Sequence, residues 1–370
     1  MTGFPHGIHR VLVVKPSSLG DILHIFPALE AIHRVCPAAK LDFLIAPAFA
    51  PLLRYSPWPV ERTILFERRR LGALFSCVPE TLRLIRNLRR ERYDLVIDFQ
   101  GLLRSAFFAA WARSPIHAGF AAPRERAAAW FYSRRIGVPA AASHAVERAL
   151  ALARGLFPEA GERIPEPELP VDPDGLAEIA GLPKPVIALL PGARWESKTF
   201  PASLFAAVAE AVHKRLPGYT FVTVGGASDR ERAEEINRFG AGKFPLVNYC
   251  GKTSIPGMIE LLRHSAAVVS NDSGPIHAAA LLHRPVFAFY GPTLPELTGP
   301  FGSDVRIFRA DVECLGCRRR ECPGRLECHR LDAETIAGEI VNRLTAAQRA
   351  VRTTGGPGAA GLQGGLTKCI

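Results

Sequence analysis

Ser270-Asn271-Asp272-Ser273-Gly274-Pro275-Ile276-His277 stands between an apolar run, Ala266 to Val269, and an Ala/Leu-rich stretch, Ala278 to Leu282. An apolar run that breaks at polar, Gly and Pro residues and then resumes with helical composition predicts strand, tight turn, helix. Such a turn gathers backbone N–H groups and short polar side chains at a helix N-terminus, which suits an anionic or polyhydroxyl ligand. His277, on the first helical turn, reads equally as a ligand contact or as a core-edge histidine bonded within its own helix. A second turn of this type follows the short β run Val11 to Val14, as Lys15-Pro16-Ser17-Ser18-Leu19-Gly20-Asp21. The Asp21 carboxylate can cap its helix or serve as a general base. With an ordinary pKa of about 4 it is ionised at neutral pH and can take a hydroxyl proton as a bond forms.

Pro191-Gly192-Ala193-Arg194-Trp195-Glu196-Ser197-Lys198 forms a third turn, after the strand-like Pro185 to Leu190. Gly192 permits close backbone approach, and Arg194 and Lys198 add positive charge beside a helix start, a combination suited to a diphosphate leaving group. No Walker A sequence and no GxGxxG fingerprint accompanies it. Val224-Gly225-Gly226-Ala227 with Asp229 is a similar turn, and Gly291-Pro292-Thr293 ends the next strand.

The segments between these turns must position them. Strand-like Arg10–Lys15, Lys40–Ala46, Arg62–Phe66 and Asp94–Phe99 alternate with helix-like Asp21–Val35, Pro79–Arg92, Leu102–Trp111 and Ala145–Phe157. Alternation restarts after Pro185, with helices over Pro201–Leu216, Asp229–Phe239 and Ile255–His264. That pattern predicts α/β domains with parallel sheets wound on both sides. Residues 1–165 form the expected N-terminal domain, the proline-rich 166–184 a linker, 185–352 the C-terminal domain, and the Gly-rich 353–370 a disordered tail.

At 370 residues with 48% hydrophobic composition, the chain can fill two cores. No apolar stretch is long enough for a membrane span and no apolar signal core opens the chain, so a cytoplasmic location is expected. The net charge is +11, and basic residues concentrate between Arg54 and Arg92. That charge suits anionic lipid headgroups or phosphorylated ligands, or is a solvated face. Nucleic acid is not an expected partner, because no recognition motif accompanies the charge. Cys314, Cys317, Cys322 and Cys328 cluster as C-x2-C-x4-C-x5-C, a spacing open to a structural zinc, a redox pair or reduced packed thiols.

The ordered set of Val14–Asp21, Asp98-Phe99-Gln100-Gly101-Leu102-Leu103-Arg104-Ser105, Pro191–Trp195 with Lys198, Ser270–His277 and Gly291–Thr293 resembles glycosyltransferase family 9 over roughly residues 10–345. These are the ADP-heptose:lipopolysaccharide heptosyltransferases. The resemblance implies a GT-B fold, two Rossmann-like domains across a cleft, with no catalytic metal. It implies inverting transfer of heptose from ADP-L-glycero-D-manno-heptose to the Kdo/heptose inner core of a lipid A acceptor, at the cytoplasmic face of an anionic inner membrane. Asp21 matches the base and Lys198 the diphosphate ligand. Gly192, Arg194, Asp272, Ser273, Gly274, His277, Gly291 and Thr293 complete the donor side. Ser18, Gly20, Gln100, Arg124 and Arg148 are expected on the acceptor side. Gln100–Ser105, Arg124-Glu125, Phe131-Tyr132 and His144–Arg148 look like heptosyltransferase I, whereas the cysteine cluster looks like heptosyltransferase II. A GT-B enzyme using another nucleotide sugar and a non-catalytic nucleotide-binding relative remain the alternatives.

Overall fold

The computed structural model describes residues 7–67 and 78–354. Part of the basic run (Arg68–Arg70), Cys77, Cys369 and the tail past Thr354 lie outside the described residues. β1 (Arg10–Val14), β2 (Lys40–Ile45), β3 (Val60–Leu65), β4 (Leu95–Asp98), β5 (His117–Phe120) and β6 (Arg134–Ile136) form a parallel sheet ordered β3-β2-β1-β4-β5-β6. β7 (Val186–Leu190), β8 (Thr220–Thr223), β9 (Leu246–Asn248), β10 (Ser265–Asn271), β11 (Val286–Phe289) and β12 (Val305–Phe308) form the second, ordered β12-β11-β10-β7-β8-β9. The central strands read as unbroken apolar runs because both sheet faces are covered. Val11–Val14 and Val186–Leu190 are buried throughout.

Each sheet reverses its winding once, between β1 and β4 and between β7 and β10. Ligands of such sheets bind outside the carboxyl ends of the strands at that reversal. The turns singled out from sequence follow β1, β4, β7 and β10, so topology places them there.

The helices depart from expectation in several places. The predicted Asp21–Val35 helix is split into α1 (Leu19–Leu23) and α2 (Phe26–Val35). Pro27 lacks an N–H and is accommodated in the first turn of α2, where a helix interior would not tolerate it. Residues 166–184, expected as a linker, hold α6 (Pro173–Glu178), with the Asp172 side chain accepting from the Gly175 N–H at 2.9 Å. Leu169, Ile179 and Leu182 there are buried, so the segment is packed against its neighbours.

The remaining helices are α3 (Val78–Leu88), α4 (Leu103–Ala109), α5 (Ala145–Leu156), α7 (Ala202–Arg215), α8 (Arg230–Gly240), α9 (Ile255–Arg263), α10 (Pro275–Leu281), α11 (Pro295–Thr298) and α12 (Ala333–Thr354). α12 is not among the sequence-based expectations. It buries Ile336, Ile340 and Leu344 at helical spacing in the core of the second sheet.

The halves are stapled near the chain crossing. Glu260 of α9 is fully buried and accepts from the Tyr55 hydroxyl at 3.1 Å, the Asp172 N–H at 3.1 Å and Arg263 Nε at 2.9 Å. Tyr55→Phe removes one donor from that carboxylate and is expected to cost about 1–3 kcal/mol in urea unfolding. Wild-type stability in that variant would show the staple to be inert.

Candidate active site

The first wall is built at the ends of β1 and β4. Ser18 precedes α1, and both its backbone N–H (2.9 Å) and its hydroxyl (2.7 Å) donate to Asp21 Oδ2. Asp21 therefore does close the start of its helix. Among the described residues no hydrogen bond reaches its Oδ1. Burial opposes ionisation of Asp21, but the Lys15 ammonium and the two Ser18 bonds outweigh it and hold the carboxyl below its ordinary value. Lys15 is itself buried and donates to the Phe99 carbonyl at 3.2 Å. Asp98 ends β4 as a buried hub. It accepts from the Gln100 and Gly101 N–H groups, the Ser105 hydroxyl and the Tyr132 hydroxyl at 2.7, 3.2, 3.1 and 2.8 Å. Burial nevertheless pushes its carboxyl up. Gln100 Oε1, aimed by this hub, accepts from the Ser17 N–H at 3.3 Å. Gly101 has φ +66, and a Cβ there would lie 3.3 Å from the Arg124 backbone nitrogen, so Arg124 enters the same rim. Arg148 stands on α5, its guanidinium 5.5 Å from the Phe120 ring centroid.

The second wall is built at the ends of β7 and β10. Asn271, which the sequence reading did not select, ties the two turns together. Its Nδ2 donates to the Pro191 carbonyl at 2.6 Å and its Oδ1 accepts from the Phe200 N–H at 3.3 Å. Lys198 Nζ reaches Asp272 Oδ2 at 2.6 Å and lies 4.7 Å from the Trp195 ring centroid. Thr293 and Tyr290 donate to the two Asp272 oxygens at 2.5 and 3.3 Å. An ammonium has three donors, so this pairing fixes Lys198 while leaving two for a ligand. Ser273 shares a 3.2 Å hydroxyl contact with Ser270. Arg194 is exposed, with no ion-pair partner among the described residues. Gly192 makes room for Asp229, whose carboxyl would lie 2.4 Å from a Cβ at that position.

The two walls touch. A Cβ on Gly20 would lie 2.4 Å from His277 Cδ2, and one on Gly274 would lie 3.2 Å from Leu19 Cβ. The start of α1 is thus seated against the start of α10. His277 interacts electrostatically with both Asp21 and Lys198. Two further imidazoles close the cluster. The His24 ring centroid lies 4.3 Å from that of His277 and 5.3 Å from that of His144. His144 Nδ1 accepts from the Val146 N–H, so its Nε2 carries the hydrogen and donates to the Gly299 carbonyl at 3.1 Å. His24 Nε2 donates to the same carbonyl at 3.2 Å. His24 and His277 each keep a buried Nδ1 without a partner among the described residues. Burial pushes all three histidines down, His277 to about 4 and His24 well below its ordinary value. His24 lies one helical turn beyond Asp21, and that i, i+3 spacing could have flagged it from sequence.

The cysteine segment braces the second wall from behind. The Ser197 hydroxyl donates to the Arg319 carbonyl at 2.7 Å, and the His329 ring donates to the Ser197 carbonyl at 2.8 Å. The Gly316 and Arg318 N–H groups donate to the Gly291 and Pro292 carbonyls at 2.9 and 2.6 Å. Gly291 faces Cys328, whose sulfur would lie 2.8 Å from a Cβ there. Cys314, Cys317 and Cys322 are exposed, whereas Cys328 is buried. The zinc expectation finds no cage: among the described residues no three His, Cys, Asp or Glu side chains are arranged to hold a metal ion.

Two doubly wound parallel sheets whose reversal points face one another across a cleft define the GT-B architecture. The sequence profile of glycosyltransferase family 9 (heptosyltransferase) matches residues 81–326, and the chain belongs to that family of enzymes. It is 33% identical over 322 residues to lipopolysaccharide heptosyltransferase 1 of Pseudomonas aeruginosa, covering 85% of this chain and 87% of that protein. The solved E. coli heptosyltransferase WaaC with ADP superposes with a TM-score of 0.72 at 28% identity, over 90% of this chain and 99% of that one. E. coli ADP-heptose LPS heptosyltransferase II superposes with a TM-score of 0.75 at 25% identity, over 92% and 99%. Among the described residues no helix is long and apolar enough to cross a membrane.

The histidine cluster gives stability a pH dependence of known sign. Folded His277 titrates at about 4, against 6.5 for the ordinary group. The unfolded chain therefore binds the extra proton between those values, and stability falls as pH drops through that window and is level above it. Charged or titratable groups facing the cluster are Asp21 and Lys198 around His277, and Glu147 beside His144. The thermal midpoint is expected to fall on acidification from 6.5 towards 4, and less steeply in His277→Gln. An unchanged slope in that variant would assign the titration elsewhere.

Proposed function

We propose that the chain is an inverting heptosyltransferase that moves heptose from ADP-L-glycero-D-manno-heptose to the Kdo/heptose inner core of a lipid A acceptor. The observation that carries this reading is the seating of the Ser18–Asp21 turn on the Gly274–His277 turn, with His277 facing both Asp21 and Lys198. One carboxylate and one cationic pocket then address opposite sides of a single sugar carbon. Asp21 accepts the acceptor hydroxyl proton as the new C–O bond forms on the face away from the diphosphate. Its carboxyl, held despite burial below its ordinary value by Lys15 and Ser18, is ionised at neutral pH. Lys198, steered by Asp272, stabilises the negative charge that grows on the departing ADP, with Arg194 and the Gly192, Ser273 and Gly274 backbone alongside. Gln100, Arg124 and Arg148 supply the acceptor rim, where two guanidinium groups suit an acidic sugar.

The base role needs no covalent intermediate, because a single displacement inverts the anomeric centre. No step here calls on a metal, and the cysteine segment acts as a brace for the Lys198 and Gly291–Thr293 turns. The acceptor's lipid anchor places the enzyme at the cytoplasmic face of the inner membrane as a peripheral protein. Transfer to an acceptor without heptose, compared with one already carrying a heptose, separates the two subtypes.

Asp21→Asn is expected to lower kcat by at least ~10²-fold with ADP affinity nearly unchanged in calorimetry, since a base acts only in the transition state. Full turnover in that variant would remove Asp21 from the base role. Lys198→Ala is expected to weaken donor binding and slow transfer together, because diphosphate charge must be held before and during departure. Tighter binding of UDP or GDP than of ADP would point to another nucleotide sugar.

A further inference from the structure

α4 starts three residues past Gln100 and carries an apolar stripe on its outer face. Leu103 and Phe107, one i, i+4 step apart, are 42% and 41% exposed, and Trp111 just beyond the helix is 40% exposed. The stripe continues onto the turn Arg126–Phe131, which packs beside α4. Phe107 meets Trp111 and Phe131 edge-on at 6.4 and 5.9 Å between ring centroids, and Trp130 next door is 78% exposed. Arg104, Arg113 and Arg126 fringe the stripe. All three are exposed, and none has an ion-pair partner among the described residues. The acid in their midst, Glu125, is committed to the start of α4, accepting from the Leu103 N–H at 2.7 Å.

We propose that this aromatic and arginine surface is where the enzyme docks on an anionic lipid bilayer. Tryptophan and phenylalanine favour the boundary between headgroups and acyl chains, and arginine reaches from that depth to lipid phosphates. Uncompensated positive charge selects an anionic leaflet over a neutral one. Position supports the same occupant. Glu125 ties the start of α4 to the loop carrying Arg124, and Gly101 packs against that loop. The patch is therefore continuous with the rim assigned to the acceptor, so docking would present the cleft to a lipid-anchored sugar at the membrane surface. This surface rests on the reading of the acceptor as lipid-anchored.

Co-sedimentation of the full chain with phosphatidylglycerol/phosphatidylethanolamine vesicles tests it, with phosphatidylcholine vesicles as the neutral control. Binding is expected to the anionic vesicles alone and to weaken as salt is raised. Trp111→Ser/Trp130→Ser is expected to lower vesicle affinity at least about tenfold, and Arg104→Glu/Arg126→Glu to do the same and flatten the salt dependence. Trp130→Tyr should keep most of the affinity, showing that an interfacial aromatic is what counts. Both double variants should transfer heptose to a detergent-solubilised acceptor within about twofold of wild type, and lose activity only on vesicle-embedded acceptor. Vesicle affinity unchanged in both double variants would overturn the assignment. So would equal binding to phosphatidylcholine, or a dimer in sedimentation equilibrium that the tryptophan pair converts to monomer. Vesicle binding as expected, with no transfer by the wild type to either acceptor, would leave the docking surface standing and remove the heptosyltransferase reading.

Discussion

The arrangement depends on a steric permission at Gly20. Two sheets, each reversing its winding once, present their reversal points to each other, but facing alone does not bring a carboxylate on one within reach of a cation on the other. The gap closes because Gly20 lacks a side chain and Gly274 returns the favour, so the first turns of α1 and α10 lie in contact. A methyl group at Gly20 would occupy the space of the His277 ring. Asp21 is the next residue, which makes the closeness of the walls and the placing of the carboxylate proposed as the base one requirement.

Electrostatics then explain why the residue at the contact is a histidine held neutral. It stands between an anion, Asp21, and a cation, Lys198, in a place where burial penalises any further charge. A permanently charged side chain there would favour one neighbour at the expense of the other. A neutral imidazole fills the space with a polar ring that leaves Asp21 its Ser18 bonds and Lys198 its bond to Asp272. The second wall, the proposed donor side, is rigid for a separate reason. The turns after β7, β10 and β11 are cross-bonded by Asn271 in front and by the 314–329 segment behind, so Lys198 hangs from a frame rather than from a free loop.

Much of this was legible in the sequence because topology and turn chemistry are local signals. Buried parallel strands leave apolar runs, and Gly, Pro and short polar residues mark where those runs meet helices. That was enough for the central strands and for the turns holding Asp21, Lys198 and Asp272, but not for β5, β6 and β12 towards the sheet edges. What stayed hidden depends on contacts remote in sequence. Nothing near Asn271 announces its bond to the Pro191 carbonyl, eighty positions away. His24 and His144, 120 positions apart, meet edge-on and share a backbone oxygen at position 299. The stretch 166–184 has linker composition, yet Leu169, Ile179 and Leu182 find apolar neighbours once both domains are folded. The cysteines illustrate the converse: their spacing left zinc, a redox pair and packed thiols open, and what the fold shows is the backbone between them used as a splint.

The Gly299 carbonyl joins the halves at a single atom. Both of its lone pairs are taken by imidazole N–H groups from the other domain. Prising the cleft apart therefore strips one oxygen of two donors at once, and that oxygen can be rehydrated only after solvent has entered between the rings. Opening at this corner should resemble a latch, either engaged or released, in place of a gradual hinge swing.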